Sequence, residues 1–305
     1  MKLEIGQIQL HSIVEQAITG LEHLIKEANP ETLAAIDWLA PHYINDAGEL
    51  TGLVQSFVLD TGEHRLIVDT CVGNDKERPH DAQWHQQQRA FMQDFRDTGF
   101  SPESIDVVLC THLHVDHVGW NCTRVNNEWR PSFPNARYLF ERREFEYWQQ
   151  LATTPEPPPP ANESRKDAAL RHFRETQRLT WADSVEPLVQ AGLVELVDVS
   201  APYLVCPGVS LIPTPGHTIG HVSVLLQSNE QTAVISGDCV HHPCQIANPP
   251  WQTLVDHDHE LAARTREQLF SRLANDGGTL IGSHFSTPCC GTVRRDGNSF
   301  RFLPK

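Results

Sequence analysis

Apolar residues in this chain occur in short runs separated by turn-forming residues, a pattern typical of strands joined by loops. Residues 53–69 predict a β-hairpin, because two apolar runs flank a turn at Asp60, Thr61 and Gly62. Asp69 then lies at the end of the second strand. The apolar run at 107–110 predicts a buried strand that leads into a polar loop. Further strands are predicted at 3–10, 137–140, 193–197, 209–212, 222–226, 232–235 and 279–281.

Helical patterns lie between these strands. Asn29 is a good capping residue and Pro30 a good first residue for a helix over residues 31–39. A helix over residues 168–190 is expected to break near Trp181. Other helices are predicted over 21–28, 83–97, 141–151 and 261–273, and a short one begins at residue 101. The proline-rich residues 153–160 cannot continue a helix and indicate a surface insertion around 152–180. We expect a single domain over residues 1–305 that carries this insertion.

The polar loop after the strand at 107–110 is rich in metal-ligand side chains. His112, His114, Asp116 and His117 fall within six positions, a spacing that fits neither a helical stripe nor a half-buried strand. Imidazole and carboxylate are the usual ligands of zinc, so we predict a metal-binding loop. Three more candidates each follow or interrupt a strand: His217, Asp238 and His284. Seven candidates suggest two metal ions bridged by Asp238, and a bound water acidified towards ~pH 7 would supply hydroxide.

Composition narrows the possible partners. The 39 acidic residues against 24 basic ones give a net charge of −15, which argues against nucleic acid and favours a small-molecule substrate. Eight cysteines, several of them inside apolar runs, predict buried free thiols and a reducing compartment. No window approaches the ~18 apolar residues of a membrane helix and the first residues lack a secretory pattern, so we expect a cytoplasmic protein that does not bind membranes. The sequence neither establishes nor excludes a homodimer.

The ligand residues in their order resemble the metallo-β-lactamase-fold hydrolase superfamily. The resemblance rests on His112-x-His114-x-Asp116-His117, then His217 in Thr-Pro-Gly-His, Asp238 in Ser-Gly-Asp, and His284; Asp69 in Val-Asp-Thr also matches. It implies an α/β (α+β) fold, a four-layer αβ/βα sandwich with the metals at one edge. It also implies one metal ion held by His112, His114 and His217, and a second held by Asp116, His117 and His284, with Asp238 between them. The ions would be divalent, with zinc preferred and iron, manganese or cobalt as alternatives.

Within that superfamily, residues 68–74, residues 116–121 and the segment His241-His242-Pro243 look most like the lactonase and methyl parathion hydrolase-like branch. This resemblance implies a hydrolase that uses metal-bound hydroxide on a small lactone or a carboxylic or phosphate ester, with Asp116 and Asp238 as catalytic residues. The alternatives are an iron-dependent oxidoreductase similar to persulfide dioxygenases and a thioesterase similar to glyoxalase II. Fold alone does not select among them.

Several other residues have both a functional and a structural interpretation. Trp120, His241 and His242 are candidates for the substrate pocket, with a role in the core as the alternative for each. The acidic and histidine-rich run at 256–260 is predicted to be a solvated helix start. His221 is expected to be a packed strand residue. Cys289 and Cys290 are expected to pack in the core.

Overall fold

The computed structural model describes residues 1–160 and 162–305, and two seven-stranded sheets form its framework. The first sheet has the order β1-β2-β3-β4-β5-β8-β9 and the second has β10 to β16 in chain order. The strands of the first half are β1 (Lys2–Ile5), β2 (Ile8–Thr19), β3 (Thr51–Asp60), β4 (Arg65–Val68), β5 (Val107–Leu109), β6 (Cys122–Val125), β7 (Glu128–Pro131), β8 (Arg137–Glu141) and β9 (Val194–Val197). Strands β6 and β7 pair as a separate hairpin.

The second sheet contains β10 (Tyr203–Cys206), β11 (Val209–Pro213), β12 (Val222–Ser228), β13 (Gln231–Ile235), β14 (Thr279–Ile281), β15 (Cys290–Asp296) and β16 (Ser299–Pro304). The helices are α1 (Pro30–Ala34), α2 (Phe91–Asp97), α3 (Arg142–Thr153), α4 (Arg165–Thr180), α5 (Glu186–Gln190), α6 (Cys244–Ala247) and α7 (His259–Asp276). Among the described residues, none of these helices has both the length and the apolar character needed to cross a bilayer.

The alternation of side chains between the two faces of the central strands explains how the layers pack. Side chains of a strand point to opposite faces in turn, and β5 is buried at all three positions. Val107 and Leu109 join the core between the two sheets, whereas Val108 joins the core between the first sheet and its helices. A strand buried on both faces reads as a continuous apolar run, which is typical of parallel pairing. Strands β4, β5, β8 and β9 are indeed parallel neighbours.

The outer helices complete four layers. Phe91 and Phe95 of α2 and Phe145 and Trp148 of α3 pack in the apolar cluster on the outer face of the first sheet. Helix α7 packs against the second sheet, where the Phe270 ring lies 5.8 Å from the ring of Phe300. The predicted four-layer sandwich is therefore confirmed. All eight cysteines lie within the described residues, and each is free and buried.

Most predicted elements are present, but two helices were placed wrongly. The hairpin at 53–69 corresponds to β3 and β4, and the helix predicted to break near Trp181 is divided by a π-helical turn, Trp181–Val185, between α4 and α5. Residues 21–28 contain only a short 3-10 turn, Leu21–His23, because β2 runs on to Thr19. Residues 83–86 lie in a turn and residues 87–90 have no regular structure, since the segment contributes few apolar side chains before Phe91.

The helix after Asn29 is shorter than predicted. It ends at Ala34 instead of Leu39, although Asn29 caps it as expected: its side chain accepts hydrogen bonds from the backbone of Glu31 and Thr32. Strands β10, β15 and β16 lie where the sequence pattern predicted no element.

Candidate metal centre

Six of the seven candidate ligands follow strands that belong to two parallel pairs. Strand β5 ends just before the loop that carries His112, and its parallel neighbour β4 ends just before Asp69. In the second sheet, Asp238 follows β13 and His284 follows its parallel neighbour β14. His217 lies in the loop between β11 and β12. Because ligands of α/β sheets gather beyond the carboxyl ends of parallel strands, both sheets present these loops at one edge of the sandwich.

The donor atoms of these residues form two groups around one carboxylate. Those of His112, His114 and His217 lie within 4.8 Å of one another, and so do those of Asp116, His117 and His284. Asp238 faces both groups. Its Oδ1 lies 3.2 Å from Nε2 of His117 and 3.1 Å from Nε2 of His284. Its Oδ2 lies 3.5 Å from Nε2 of His217 and 3.7 Å from Nε2 of His112. Each carboxylate oxygen of Asp238 thus faces a different group of donors.

Hydrogen-bond acceptors beside Nδ1 of three imidazole rings orient those rings so that Nε2 faces the donor cluster. His117 Nδ1 lies 2.9 Å from Oδ2 of Asp69, and His217 Nδ1 lies 3.0 Å from Oδ1 of Asp256. His284 Nδ1 lies 2.8 Å from the carbonyl oxygen of Leu53 in β3. When Nδ1–H donates to such an acceptor, Nε2 carries the lone pair that a metal ion requires. The three Nε2 atoms point into the cluster.

Asp69 also organises the loop that carries His112. Its Oδ1 accepts a hydrogen bond from the backbone N–H of Thr111 at 2.7 Å, and its Oδ2 accepts one from the Thr111 hydroxyl at 2.9 Å. The Thr111 oxygen in turn lies 3.1 Å from Nδ1 of His112. Asp69 has a backbone φ of 55°, a left-handed conformation that aspartate tolerates better than most residues. The strand-end aspartate therefore supports two candidate ligands without touching the donor cluster itself.

A second support holds Asp238 in place. His221 Nε2 accepts a hydrogen bond from the backbone N–H of Asp238 at 2.9 Å, and its Nδ1 lies 2.9 Å from the hydroxyl of Thr214. Burial lowers the pKa of His221 to about 3, so this ring is neutral and can accept at Nε2. His221 is packed, as predicted, but it also positions the turn that carries Asp238.

Charge within the cluster is divided between its histidines. Burial holds the pKa values of His112 and His114 well below the usual range. Burial also opposes protonation of His117 and His284, but nearby carboxylates outweigh it. Asp238 and Asp69 raise the pKa of His117 well above its ordinary value, and Asp238 with Asp116 raises that of His284 to about 9. Concentrated carboxylate charge at a buried site favours a bound cation.

Unpartnered polar atoms test whether the residues fit metal ions. Within residues 1–160 and 162–305, Nε2 of His112 and Nδ1 of His241 are buried and make no hydrogen bond. Leaving such atoms unpaired typically costs about 1–3 kcal/mol each. A divalent cation among the donors would pair Nε2 of His112 directly. The donor set of histidine nitrogen and carboxylate oxygen also suits zinc and similar ions. The residues therefore fit two divalent metal ions.

A cavity of about 480 Å³, the metal cavity, opens onto the cluster. Its polar lining includes His114, Asp116, Asp238, His241 and His284. Its apolar lining includes Ile18, Leu21, Leu24, Trp84, Val115, Phe173 and Val255. An apolar cavity with a few convergent polar groups is typical of a small-molecule site. His241, whose Nε2 lies 3.1 Å from Oδ2 of Asp238, is at the position predicted for a pocket residue.

The other two predicted pocket residues, Trp120 and His242, do not line this cavity. Trp120 is buried in the core: its indole N–H donates to Glu15 at 2.6 Å, and its ring stacks on Phe91 at 5.2 Å. His242 is buried, with Nε2 2.9 Å from the carbonyl oxygen of Tyr43 and Nδ1 accepting from the backbone of Cys244. Both polar groups are satisfied away from the cluster.

Asp256 differs from its predicted role in a solvated helix start. It is buried against His217 and lies 3.7 Å from the buried guanidinium of Arg266. His217 outweighs the effect of burial and lowers the pKa of Asp256, which keeps the carboxylate ionised. The rest of the run is as predicted: residues 257–260 are exposed, Asp258 caps α7 and Glu260 lies in its first turn. The apolar residue Val255, directly before Asp256, is the sequence feature that could have indicated the burial of Asp256.

The chain belongs to the metallo-β-lactamase superfamily, whose family model matches residues 51–284. Curated relatives include N-acyl homoserine lactonases from Bacillus sp. and Bacillus cereus, each 26% identical over 137 residues, or 45% of this chain. The match spans 39% of the length of those relatives.

Solved structures of similar fold cover almost the whole chain. One is the hydrolase AbOPH of the β-lactamase superfamily, with a TM-score of 0.76 and 23% identity over 100% of this chain and 96% of the other. Another is AidC, a dizinc quorum-quenching lactonase, with a TM-score of 0.77 and 18% identity over 100% of this chain and 97% of the other. At these identities the likeness establishes the fold, which agrees with the two stacked sheets.

Proposed function

We propose that the protein is a hydrolase of small lactones or carboxylic esters that depends on two divalent metal ions, most simply zinc. The observation that carries the proposal is the arrangement of Asp238 between two groups of three donors at the floor of an apolar cavity. Related proteins named as lactonases support the choice of substrate class.

The chemistry divides between the ions and the chain. When bound, two divalent cations acidify a water molecule and polarise the scissile carbonyl. His112, His114 and His217 would hold one ion, and Asp116, His117 and His284 the other. Asp238 would contact both. Asp69, Asp256 and the carbonyl of Leu53 keep the imidazole rings in the tautomer that presents Nε2 inward.

The cavity selects a substrate with apolar parts. Ile18, Leu21 and Trp84 give the wall apolar surface, which favours an ester that carries an apolar group. His241 lies at the cavity surface with Nδ1 unpartnered among the described residues. Its Nε2 lies 3.1 Å from Oδ2 of Asp238, so the ring forms part of the wall beside that carboxylate.

The test combines metal analysis with a substrate panel. Purified protein should contain close to two equivalents of divalent metal and should hydrolyse an acyl-homoserine lactone, a simple lactone or an aryl ester faster than a glutathione thioester, a phosphotriester or a β-lactam. Iron as the sole metal, with oxygen uptake on a persulfide and no ester turnover, would instead indicate an oxidoreductase. A preference for the glutathione thioester would indicate a thioesterase.

A substitution of Asp238 tests the proposed bridging role, and a substitution of an exposed aspartate provides its control. Asp238→Ala should lower the metal content and abolish hydrolysis, because both groups of donors lose their shared ligand. Asp46→Ala removes an exposed carboxylate remote from the cluster and should change neither quantity. Retention of full activity in Asp238→Ala would show that the bridging assignment is wrong.

A further inference from the structure

Three sulfur atoms converge where Met1 meets the start of β15. The Sδ atom of Met1 lies 3.7 Å from Sγ of Cys289 and 3.6 Å from Sγ of Cys290. Both cysteines are buried and free, as predicted. Consecutive residues of an extended strand point to opposite faces, so the approach of both thiols to one thioether depends on the bend at residues 287–288, just before β15.

The sulfur cluster of Met1, Cys289 and Cys290 joins segments of both sheets. Met1 precedes β1, and its carbonyl oxygen accepts a hydrogen bond from the backbone N–H of Ser12 in β2 at 2.9 Å. Cys290 begins β15 of the second sheet. The backbone N–H of Gly282 donates to the carbonyl oxygen of Cys289 at 2.9 Å. Backbone hydrogen bonds on both sides therefore hold the three sulfurs near one another.

The spacing of these sulfurs suits an ion with three ligands. Metal–sulfur bonds of about 2.3 Å place the sulfurs of a trigonal site about 4 Å apart. The distances from Met1 to the two thiols are slightly shorter, so a small outward shift of the Met1 side chain would admit the ion. Met1 is 39% exposed, which allows this shift and gives the ion a path from solvent.

The ligand type favours monovalent copper over zinc. The usual protein ligands of zinc are thiolate, imidazole and carboxylate, whereas thiolate and thioether sulfurs together select Cu(I). Within residues 1–160 and 162–305, no group of three or more histidine, cysteine or acidic side chains at metal-binding spacing includes Cys289 or Cys290. Harder donors therefore do not complete a site for a divalent ion here.

Nearby ammonium groups would offset the charge of bound thiolates. Burial raises the pKa of Cys289 to about 11 and also raises that of Cys290, so both thiols are neutral without an ion. The ammonium of Met1 opposes the rise in pKa of both thiols, and that of Lys305 opposes it for Cys290. One Cu(I) with two thiolates has a net charge of −1, which these cations would stabilise.

We propose that Met1, Cys289 and Cys290 form a binding site for one monovalent copper ion, separate from the candidate metal centre. Two copper–thiolate bonds replace two S–H bonds, the protons pass to water, and the thioether completes the coordination. The copper stays monovalent, so no oxidant or reductant is required. This inference does not rest on the proposed function.

Transfer of copper from a chromophoric chelator tests the site. Protein is first saturated with zinc, to fill the histidine donors, and is then titrated without oxygen against the Cu(I) complex of bicinchoninate. The wild type and Cys206→Ser, which lacks a buried cysteine of β10, should each withdraw one equivalent, and excess zinc should not release it. Cys289→Ser and Cys290→Ser should each lose this transfer. No transfer to the wild type, full transfer to both of these serine variants, or release by zinc would overturn the proposal.

Norleucine at position 1 tests the thioether while the shape of the side chain is kept. The chain has two methionines, so expression of Met92→Leu with norleucine restricts the replacement to Met1. This protein should bind Cu(I) more weakly than Met92→Leu made with methionine, its matched control. Because both cysteines remain, equal unfolding curves in copper-free buffer would exclude misfolding as the cause. Equal copper affinity of the two proteins would overturn the assignment of Met1 as a ligand.

Discussion

At the scale of single residues, the candidate centre depends on acceptors that never reach the donor cluster. Asp69, Asp256 and the Leu53 carbonyl each lie behind an imidazole ring, and each leaves Nε2 free to bind a metal ion. A neutral histidine without such an acceptor distributes its proton between the two nitrogens. Loss of one acceptor should therefore weaken metal binding while the seven donors stay in place.

Asp256→Asn tests this dependence. The variant keeps the size of the side chain but removes the charge that orients His217, so metal affinity should fall about 10- to 100-fold. Competition with a chromophoric chelator measures the change. Asp258→Asn is the control, because asparagine can still cap α7 and the residue is exposed. Equal affinity in both variants would mean that Asp256 supports the fold alone.

Lys76 makes a pH-dependent contribution to stability. Its ammonium is fully buried, donates to the carbonyl oxygen of Asp183 at 2.8 Å and lies 3.7 Å from the centre of the Trp129 ring. Burial outweighs the attraction of Asp183 and lowers the pKa of Lys76 to about 8 from its ordinary 10.5. Between these values the unfolded chain binds more protons than the native state, so stability should rise with pH.

The Lys76→Met variant isolates this effect. Between pH 8 and pH 10, the free energy of unfolding of the wild type should rise by about 2 kcal/mol relative to that of Lys76→Met. Asp183 keeps two hydrogen bonds from Arg78 in the variant, at 2.8 and 3.0 Å, so its charge remains paired. Urea unfolding at several pH values measures the difference. Parallel pH profiles for the two proteins would contradict the lowered pKa.

Sequence reasoning at this scale found the donors but not all of their supports. The spacing of histidine and aspartate within residues 112–117 predicts candidate metal ligands, and this prediction needs no knowledge of the fold. Burial of Asp256 depends on Arg266 and His217, which the fold brings from other segments. Trp120 follows the ligand loop directly, but its side chain turns to Glu15, which lies far away in sequence. The position of Trp120 next to the ligand loop in sequence therefore led to the wrong prediction that it lines the substrate pocket.

At the scale of elements, the turn after β13 shows how tightly the bridging carboxylate is held. Gly237 has a φ of +53°, and a Cβ at this position would lie 2.6 Å from Nε2 of His221 and 2.9 Å from the side chain of Thr111. These neighbours are themselves fixed, since His221 bonds to the Asp238 backbone and Thr111 to Asp69. The turn has room only for glycine.

Gly237→Ala should therefore displace Asp238. The strain of a left-handed alanine costs about 1–2 kcal/mol, and the contacts with His221 and Thr111 should add about 1–3 kcal/mol. Gly297→Ala is a matched control, because Gly297 has a φ of +57° and no atom within 4 Å of the added Cβ. Urea unfolding and metal content after dialysis should separate the two variants. Similar losses in both would show that the contacts around Gly237 yield easily.

Prediction of elements succeeded where one local cause dominates. The turn at Asp60 to Gly62, the Asn29 cap and the break near Trp181 all follow from local residues. The segment at 83–90 failed because its glutamines find partners in other elements; Gln83, for example, accepts from Gln16 of β2. Strand β16 was not predicted, although Phe300 and Phe302 alternate with polar residues as in a half-buried strand; it pairs with β15.

At the scale of the whole molecule, the candidate centre joins the two sheets. His112, His114, Asp116 and His117 lie on a loop of the first sheet, whereas His217, Asp238 and His284 lie on loops of the second. Spacing alone could not establish this meeting, because His112 and His284 are 172 positions apart in a chain without a repeat that fixes their geometry. The resemblance to a known superfamily supplied the pairing of the two halves.

Metal ions held between the sheets should stabilise the entire fold. Binding to the native state alone adds about 4 kcal/mol when free metal exceeds Kd a thousandfold, which corresponds to roughly 5–10 °C in Tm for a chain of this size. Scanning calorimetry before and after chelation should show a decrease of that order, reversed when zinc is added back. The Asp238→Ala variant, treated in the same way, should change little because it lacks the shared ligand. A wild-type Tm that is indifferent to chelation and zinc would mean that the seven donors do not hold ions that link the two sheets.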